Sequence, residues 1–86
     1  MTQPLQTADR TLDAIGLQCP EPVFRTRREL ARMQPGERLE VRADDPLAEL
    51  DLAVFCQQTG HQLLSSRQES SCLVVTIRKR TGNGSA

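Results

Sequence analysis

The chain has 86 residues, of which 37% are hydrophobic and 2% aromatic, and its 11 basic and 11 acidic residues cancel at pH 7. This length predicts one small domain. The balanced charge and the lack of Trp and Tyr argue against a general nucleic-acid-binding surface, which needs a basic excess and stacking aromatic rings. Three cysteines are too few for a disulfide framework, and the sequence shows neither a membrane-spanning apolar run nor a signal-peptide pattern. We therefore expect a cytoplasmic protein.

A short strand and a helix are the first predicted elements. Residues 10–15 are typical of a strand, and Gly16 ends it because glycine adopts a positive φ at little cost. Pro20 and Pro22 favour a helix start, since first-turn amides have no partner within a helix. The helix is predicted to reach about Met33. Its inward side is predicted to carry Val23, Phe24, Leu30, Ala31 and Met33, and its solvated side Arg25, Arg28 and Arg32.

A second strand and a second helix follow. Residues 37–43 alternate apolar and charged side chains, which is typical of a strand covered on one face. Asp45 is predicted to be the N-cap of a helix whose first residue is Pro46 and which runs to about Thr59, before Gly60. The side chains predicted to point inward from this helix are Leu47, Leu50, Val54 and Phe55.

Two further strands complete the pattern, at residues 61–66 and 72–79, joined by a polar turn around residues 68–71. The element order is then β-α-β-α-β-β. Because two helices can cover only one face of a sheet, the predicted fold class is α/β (α+β), a two-layer sandwich with a four-stranded mixed sheet and two helices on one face. We expect a folded domain at residues 10–80, with flexible tails at residues 1–9 and 81–86.

Cys19 is the first candidate functional residue, because it follows a strand and directly precedes a helix. The positive end of a helix dipole lowers the pKa of a thiol. Pro20 and Pro22 remove two first-turn amides, and the charge of Glu21 opposes ionisation. We therefore expect a modestly activated thiolate at Cys19, on a loop that the prolines hold stiff and that presents the sulfur outward. The alternative is a buried, unreactive cysteine at a helix start.

The residues around Cys19 resemble a known family. Residues 12–22, which read Leu-Asp-Ala-Ile-Gly-Leu-Gln-Cys-Pro-Glu-Pro, are similar to the signature of the TusA/SirA-like sulfur carrier family, including its Cys-Pro-x-Pro motif. Further matches follow in order at residues 34–37, 43–46, 51, 55–56, 60–61 and 77–79. The resemblance covers about residues 10–80 and implies the same two-layer β-α-β-α-β-β fold.

The resemblance also implies a function. Cys19 would hold a sulfane sulfur as a persulfide, accept it from a cysteine desulfurase or another sulfur donor, and pass it to a downstream acceptor protein. Such a sulfurtransferase acts only with partner proteins and needs no metal or organic cofactor. The favoured pathway is 2-thiolation of the wobble uridine in tRNA, with oxidative sulfur metabolism and cofactor sulfuration as alternatives. Gly16, Pro20, Glu21 and Pro22 would shape the loop.

We expect no direct contact of this chain with nucleic acid or with a membrane, and we expect a monomer. Two other classes of function remain open. A thiol-redox regulatory module would use Cys19 as a reversible oxidation switch, and it would take up no sulfur from a desulfurase. An RNA-binding module is suggested by the fold analogy and the arginine-rich helix, and salt-sensitive binding of tRNA would indicate it.

The other cysteines and the single histidine have simpler interpretations. Cys56 and Cys72 are interpreted as structural residues, with a role for Cys56 as a resolving partner of Cys19 as the alternative. His61 is interpreted as a surface residue at a strand start, with proton transfer to Cys19 as the alternative. Together with Cys19, these residues have the atom types of a zinc site, but the spacing of Cys19, Cys56, His61 and Cys72 lacks the paired motifs that such sites use.

Charge is unevenly distributed along the chain although its sum is zero. Residues 25–38 carry five Arg against two Glu, whereas residues 40–51 carry five acids against one Arg. The arginines of the first helix are either a solvated face or a partner-docking patch beside Cys19; they are Arg25, Arg27, Arg28 and Arg32. Asp45 and Asp51 are interpreted as cap and helix-surface residues rather than catalytic acids. Asp13 is expected to brace the Cys19 loop by accepting backbone amides.

Overall fold

The computed structural model describes residues 8–81. Its elements in chain order are β1 (Arg10–Ala14), α1 (Glu21–Ala31), β2 (Arg38–Ala43), α2 (Ala48–Thr59), β3 (Gln62–Glu69) and β4 (Cys72–Arg78). The predicted order of strands and helices is therefore confirmed. Most of the predicted tails, residues 1–7 and 82–86, lie outside the described residues. Asp9, which the prediction assigned to the first tail, donates its amide to the Arg38 carbonyl and accepts the Arg38 amide on Oδ2, both at 2.9 Å.

The four strands form one mixed sheet in the order β1-β2-β4-β3. β1 and β2 are parallel, whereas β4 is antiparallel to both β2 and β3. The two helices contact each other and pack on the sheet, which confirms the predicted two-layer α+β sandwich. Because Ala14 and Ala43 are register partners at the ends of two parallel strands, the loops that follow them lie side by side at one edge of the sheet.

The core lies between the sheet and the helices. On β2 the predicted alternation is confirmed, since Leu39, Val41 and Ala43 are almost completely buried while the residues between them are half-buried. The adjacent β4 contributes Leu73, Val75 and Ile77 to the same core. Each of these larger aliphatic side chains stabilises the fold by roughly 1.5–3 kcal/mol on burial.

The buried face of α1 differs from the predicted one. Its buried residues recur at every fourth position: Pro22, Thr26 and Leu30. Met33 is buried as predicted, but it lies beyond the end of the helix at Ala31. Val23 is half-buried, Ala31 is exposed, and the side chain of Phe24 is 54% exposed. The prediction was right for Leu30 and Met33, and Val23 packs against the core, but it was wrong for Phe24 and Ala31. Pro22 and Thr26 take core positions that hydrophobicity alone does not mark.

Both the start and the buried face of α2 differ from the prediction. The helix begins at Ala48 with Leu47 as its N-cap, so neither Asp45 nor Pro46 has the predicted position. The core-facing residues are Ala48, Leu52, Phe55 and Cys56, of which only Phe55 was predicted. The other three residues that were predicted to face the core, Leu47, Leu50 and Val54, are instead 52%, 62% and 41% exposed. Nearly every side of this helix is apolar, so the sequence period did not identify the buried side.

The hairpin between β3 and β4 is tighter than predicted. β3 extends to Glu69, so only Ser70 and Ser71 separate it from β4 instead of the predicted turn at residues 68–71. The pairing of β3 with β4 shifts register between Leu63 and Ser65.

Within residues 8–81, no helix combines the length and the hydrophobicity that crossing a membrane requires.

Thr26 is fully buried in α1, and its hydroxyl has no hydrogen-bond partner among the described residues. Valine has nearly the same shape without the hydroxyl, so Thr26→Val removes the cost of an unsatisfied buried polar group. We expect this substitution to raise the free energy of unfolding by about 1 kcal/mol, measured by urea denaturation. The control is Thr26→Ser, which keeps the hydroxyl, removes a buried methyl group and should lower stability. A lower urea midpoint for Thr26→Val would contradict the expectation.

Candidate functional site

Cys19 lies in the loop between β1 and α1, and its side chain is exposed. The alternative of a buried cysteine is therefore wrong. Pro20 is the N-cap of α1 and Pro22 is its second residue, so both prolines occupy the first turn as the sequence indicated. The peptide bond between Cys19 and Pro20 is cis.

Carboxylates from the loop after β2 hold the Cys19 loop in place. Asp44 Oδ1 accepts the Gly16 amide at 2.9 Å, and Asp45 Oδ2 accepts the Cys19 amide at 2.8 Å. The other oxygen of Asp45 accepts the amide of Leu47 at 2.8 Å. Gly16 has a φ of +88°, in the region that favours glycine. The backbone of the Cys19 loop is thus fixed to a second loop, and the sequence analysis did not predict either of these two contacts.

Asp13 braces the same loop from the other side. Its Oδ1 accepts the amide of Ile15 at 3.0 Å, which confirms the expectation that Asp13 accepts a backbone amide there. The loop is therefore braced from β1 as well as from the loop after β2.

The first turn of α1 does not direct free amides at the sulfur. Glu21 donates its amide to the Gln18 carbonyl at 2.8 Å, and Val23 donates to the Pro20 carbonyl at 3.1 Å. Pro22, between them, has no amide hydrogen. The donors that stabilise a thiolate at many helix starts are therefore engaged by backbone carbonyls or missing.

The electrostatic surroundings of Cys19 are acidic. A side-chain hydrogen bond to the Asp51 carboxylate raises the pKa of the Cys19 thiol, and desolvation and the charges of Asp51 and Asp45 raise it further. The expected modest activation of the thiolate is thus wrong in direction, because negative charge favours the protonated thiol. The interpretation of Asp45 as a helix cap is wrong, since Leu47 is the N-cap and Asp45 accepts the Cys19 amide, whereas Asp51 lies in the first turn of α2 and lines a groove at Cys19.

A groove runs from Cys19 between α1 and α2. We call it the thiol groove; its lining residues are Cys19, Pro20, Val23, Arg27, Leu50, Asp51, Val54, Phe55 and Gln58. Leu50 and Val54, which were predicted to face the core, form exposed apolar parts of this lining. The carbon Cζ of Arg27 lies 5.8 Å from the centre of the Phe55 ring, close enough for a cation–π contact. The groove thus combines the thiol, an apolar surface and one cation, Arg27, in a single lining.

The arginines of α1 are exposed, as predicted, but they differ in position. Arg27 lines the thiol groove. Arg25 lies 3.6 Å from Glu21, one turn earlier on the helix. Arg28 and Arg32 are exposed without lining the groove, and Arg32 is the C-cap of α1, several turns from Cys19. Of these four arginines, only Arg27 therefore lines the groove that includes Cys19.

The other two cysteines are buried, Cys56 in α2 and Cys72 at the start of β4. Burial raises the pKa of Cys56 to about 11. The Cys72 sulfur lies 3.9 Å from Nη1 of Arg42, on the sheet. Both side chains are buried, as expected for cysteines with a structural role.

His61 follows the last turn of α2, whereas Cys19 precedes the first turn of α1. Its Nδ1 accepts the amide of Arg80 at 3.1 Å, and its ring stacks on Phe55. Desolvation lowers the pKa of His61, with smaller effects from Arg80 and Lys79. Within residues 8–81, no three His, Cys, Asp or Glu side chains come together in a way that could hold a metal ion.

The fold and the site together define a small α+β domain that presents one exposed thiol on a braced loop beside an apolar groove. This arrangement is typical of proteins that carry a group on a cysteine and act with a partner. A family model described as Sulfurtransferase TusA matches residues 10–79, so the chain belongs to the TusA sulfurtransferase family. The predicted family is confirmed.

A solved structure agrees with this assignment. The chain is similar to a SirA-like protein from Desulfitobacterium hafniense, with 27% identity and a TM-score of 0.73. The match covers 83% of this chain and 97% of that chain. Membership of the family supports a role as a sulfur carrier and implies interaction with sulfur donor and sulfur acceptor proteins.

Proposed function

We propose that this protein carries sulfur as a persulfide on Cys19. The observation that supports the proposal best is the exposed thiol on a braced loop at one end of the thiol groove, in a chain of the TusA family. The donor is a cysteine desulfurase or another protein that presents a sulfane sulfur. The acceptor is a downstream protein of a tRNA-thiolation relay.

Two exchange steps account for the transfer. The Cys19 thiolate attacks the terminal sulfur of the donor persulfide, the donor S–S bond breaks, and the donor thiolate leaves. A thiolate of the acceptor then attacks the terminal sulfur on Cys19 and releases the Cys19 thiolate. No net oxidation occurs, so this chain needs no metal or organic cofactor of its own. Both steps need a thiol that other proteins can reach, and the side chain of Cys19 is exposed.

The remaining site residues have supporting roles in this proposal. Gly16, Pro20, Glu21 and Pro22 shape the loop: Gly16 with its positive φ, and the other three in the first turn of α1. Partners dock on the thiol groove, which Arg27 lines, and on the neighbouring exposed arginines Arg25, Arg28 and Arg32. A partner that fits this surface presents apolar side chains and an acidic group. The proposal places the chain in the cytoplasm, where thiols stay reduced.

Intact-mass measurement tests the central claim. After incubation with a cysteine desulfurase and cysteine, we expect the purified protein to gain the mass of one sulfur atom, and a reductant should remove it. A protein that gains oxygen under mild oxidant but never sulfur would overturn the proposal in favour of a thiol-redox module. The content of 2-thiouridine in tRNA from cells that lack this protein tests the pathway, and an unchanged content would exclude the tRNA branch.

A further inference from the structure

We propose that Asp45 is a positioning residue for sulfur transfer, which fixes the backbone of Cys19 relative to the surface of α2 on which partners dock. This inference rests on the proposed function and deepens it. The Cys19 sulfur has to meet the donor sulfur in line with the S–S bond that breaks. Since a displacement of about 1 Å can slow a reaction step a hundredfold, the cysteine has to be held in a fixed relation to the docking surface.

The thiol groove has one side on each helix. Cys19 and Val23 belong to α1 and the loop before it, whereas Leu50 and Val54 belong to α2. Because β2 separates the two helices in the chain, tertiary contacts set the distance between the sulfur and the apolar side chains on α2. A residue that joins the Cys19 loop to α2 therefore sets how a docked partner meets the thiol.

Asp45 makes this connection with a single carboxylate. Its Oδ2 accepts the amide of Cys19 and its Oδ1 accepts the amide of Leu47, both at 2.8 Å. Leu47 is the N-cap of α2, and its carbonyl accepts the amide of Asp51 at 3.0 Å. The carbonyl of Asp45 also accepts the Ala48 amide at 3.0 Å. Hydrogen bonds thus run without a break from the backbone of Cys19 to the first turn of α2.

The preceding residue, Asp44, holds the same loop in a different way. Its Oδ1 accepts the amide of Gly16 at 2.9 Å, and within residues 8–81 the structure shows no second hydrogen bond to this carboxylate. An asparagine side chain has one acceptor oxygen, and its NH₂ group only donates. Asparagine can therefore keep the single bond of Asp44, but it can keep only one of the two bonds of Asp45. The two neighbouring residues form a matched pair for a test.

The test compares Asp45→Asn with Asp44→Asn in sulfur gain from a cysteine desulfurase with cysteine. Each substitution removes one negative charge from the same loop. We expect kcat to fall about fivefold for Asp45→Asn and further for Asp45→Ala, which loses both bonds, while Asp44→Asn stays near the wild-type value. The KM for the carrier should be unchanged in all three variants, because the groove residues that bind the partner are untouched. Thermal unfolding shows that the variants compared are folded.

Alkylation of Cys19 by iodoacetamide separates positioning from the reactivity of the sulfur, because a small electrophile needs no docking. Mass spectrometry confirms that a single thiol is modified. Removing a carboxylate near a thiol favours the thiolate, so Asp45→Asn should be alkylated no more slowly than the wild type although its sulfur transfer is slower. A parallel fall in both rates would overturn the positioning role and assign the effect to the thiol itself.

The kinetic results also separate this inference from the carrier function. A wild-type kcat for Asp45→Asn, or equal losses for Asp45→Asn and Asp44→Asn, overturns the positioning role and leaves the carrier function intact. A rise in KM at unchanged kcat overturns it as well, because Asp45 would then act in docking. If the wild-type protein gains no sulfur, both the carrier function and the role of Asp45 in it are overturned.

Discussion

Replacing Cys19 by Ala should abolish the gain of sulfur from a cysteine desulfurase, whereas Cys56→Ala and Cys72→Ala should keep it. The three thiols differ in access: Cys19 is exposed, and the other two are only 4% and 8% exposed. Burial also raises the pKa of Cys56 to about 11, so almost none of it is ionised at neutral pH. Intact mass after loading measures the difference, and we expect at least a hundredfold loss for Cys19→Ala, because the attacking group is absent.

Stability must be controlled in this comparison, because the two buried cysteines are part of the folded structure. Cys56 belongs to the core cluster, and truncating its side chain should lower the free energy of unfolding by about 1–2 kcal/mol. Cys19→Ala should leave stability nearly unchanged, since its backbone amide can still donate to Asp45. Thermal unfolding of all three variants separates loss of sulfur gain from loss of fold. Sulfur gain that persists in folded Cys19→Ala would assign the persulfide to another residue.

The fold could be predicted because the central strands have unambiguous patterns. Leu39, Val41 and Ala43 alternate with charged residues, and residues 73–77 are continuously β-prone, so burial and propensity agree there. The second helix, α2, ends at Gly60, which has a positive φ, as the sequence predicted. These signals are local, and each was readable from a few neighbouring residues.

The helix faces could not be predicted as well, because their signals conflict. In α1 a proline and a threonine are buried while Phe24 is exposed. In α2 apolar residues occupy both the core side and the side that borders the thiol groove. Hydrophobicity identifies residues that avoid water but does not distinguish the domain core from a surface that a partner covers. The wrong predictions at Leu50 and Val54 therefore fall on the candidate docking surface.

The candidate cysteine could be identified from the sequence, but its electrostatic surroundings could not. A helix start suggested a lowered thiol pKa, whereas the structure raises it through Asp51 and Asp45. Both carboxylates are distant from Cys19 in the chain, and only the parallel pairing of β1 with β2 brings the loop of Asp45 to the thiol. Such contacts depend on tertiary structure, and no local pattern reports them.

Replacing Leu50 and Val54 together by Gln should weaken docking of the sulfur donor. Both side chains are exposed parts of the thiol groove, so the loss is one of apolar contact with the partner and not of core packing. Glutamine is a good helix former and adds no charge beside Cys19, so the helix and the pKa of the thiol should be retained. Removing two partly buried aliphatic contacts should raise the KM for the carrier in the desulfurase reaction about tenfold or more, with kcat nearly unchanged.

The matched control for this pair is Leu64→Gln. Leu64 is also exposed, at 41%, but it lies on β3 and does not line the thiol groove. Its replacement removes a similar apolar surface and should leave KM unchanged, which excludes a general effect of surface hydrophobicity. A rise in KM for Leu64→Gln that equals the rise for the groove variant would argue against specific docking. A fall in kcat at unchanged KM would instead mean that Leu50 and Val54 act on the transfer step, because uniform loss of binding raises KM alone.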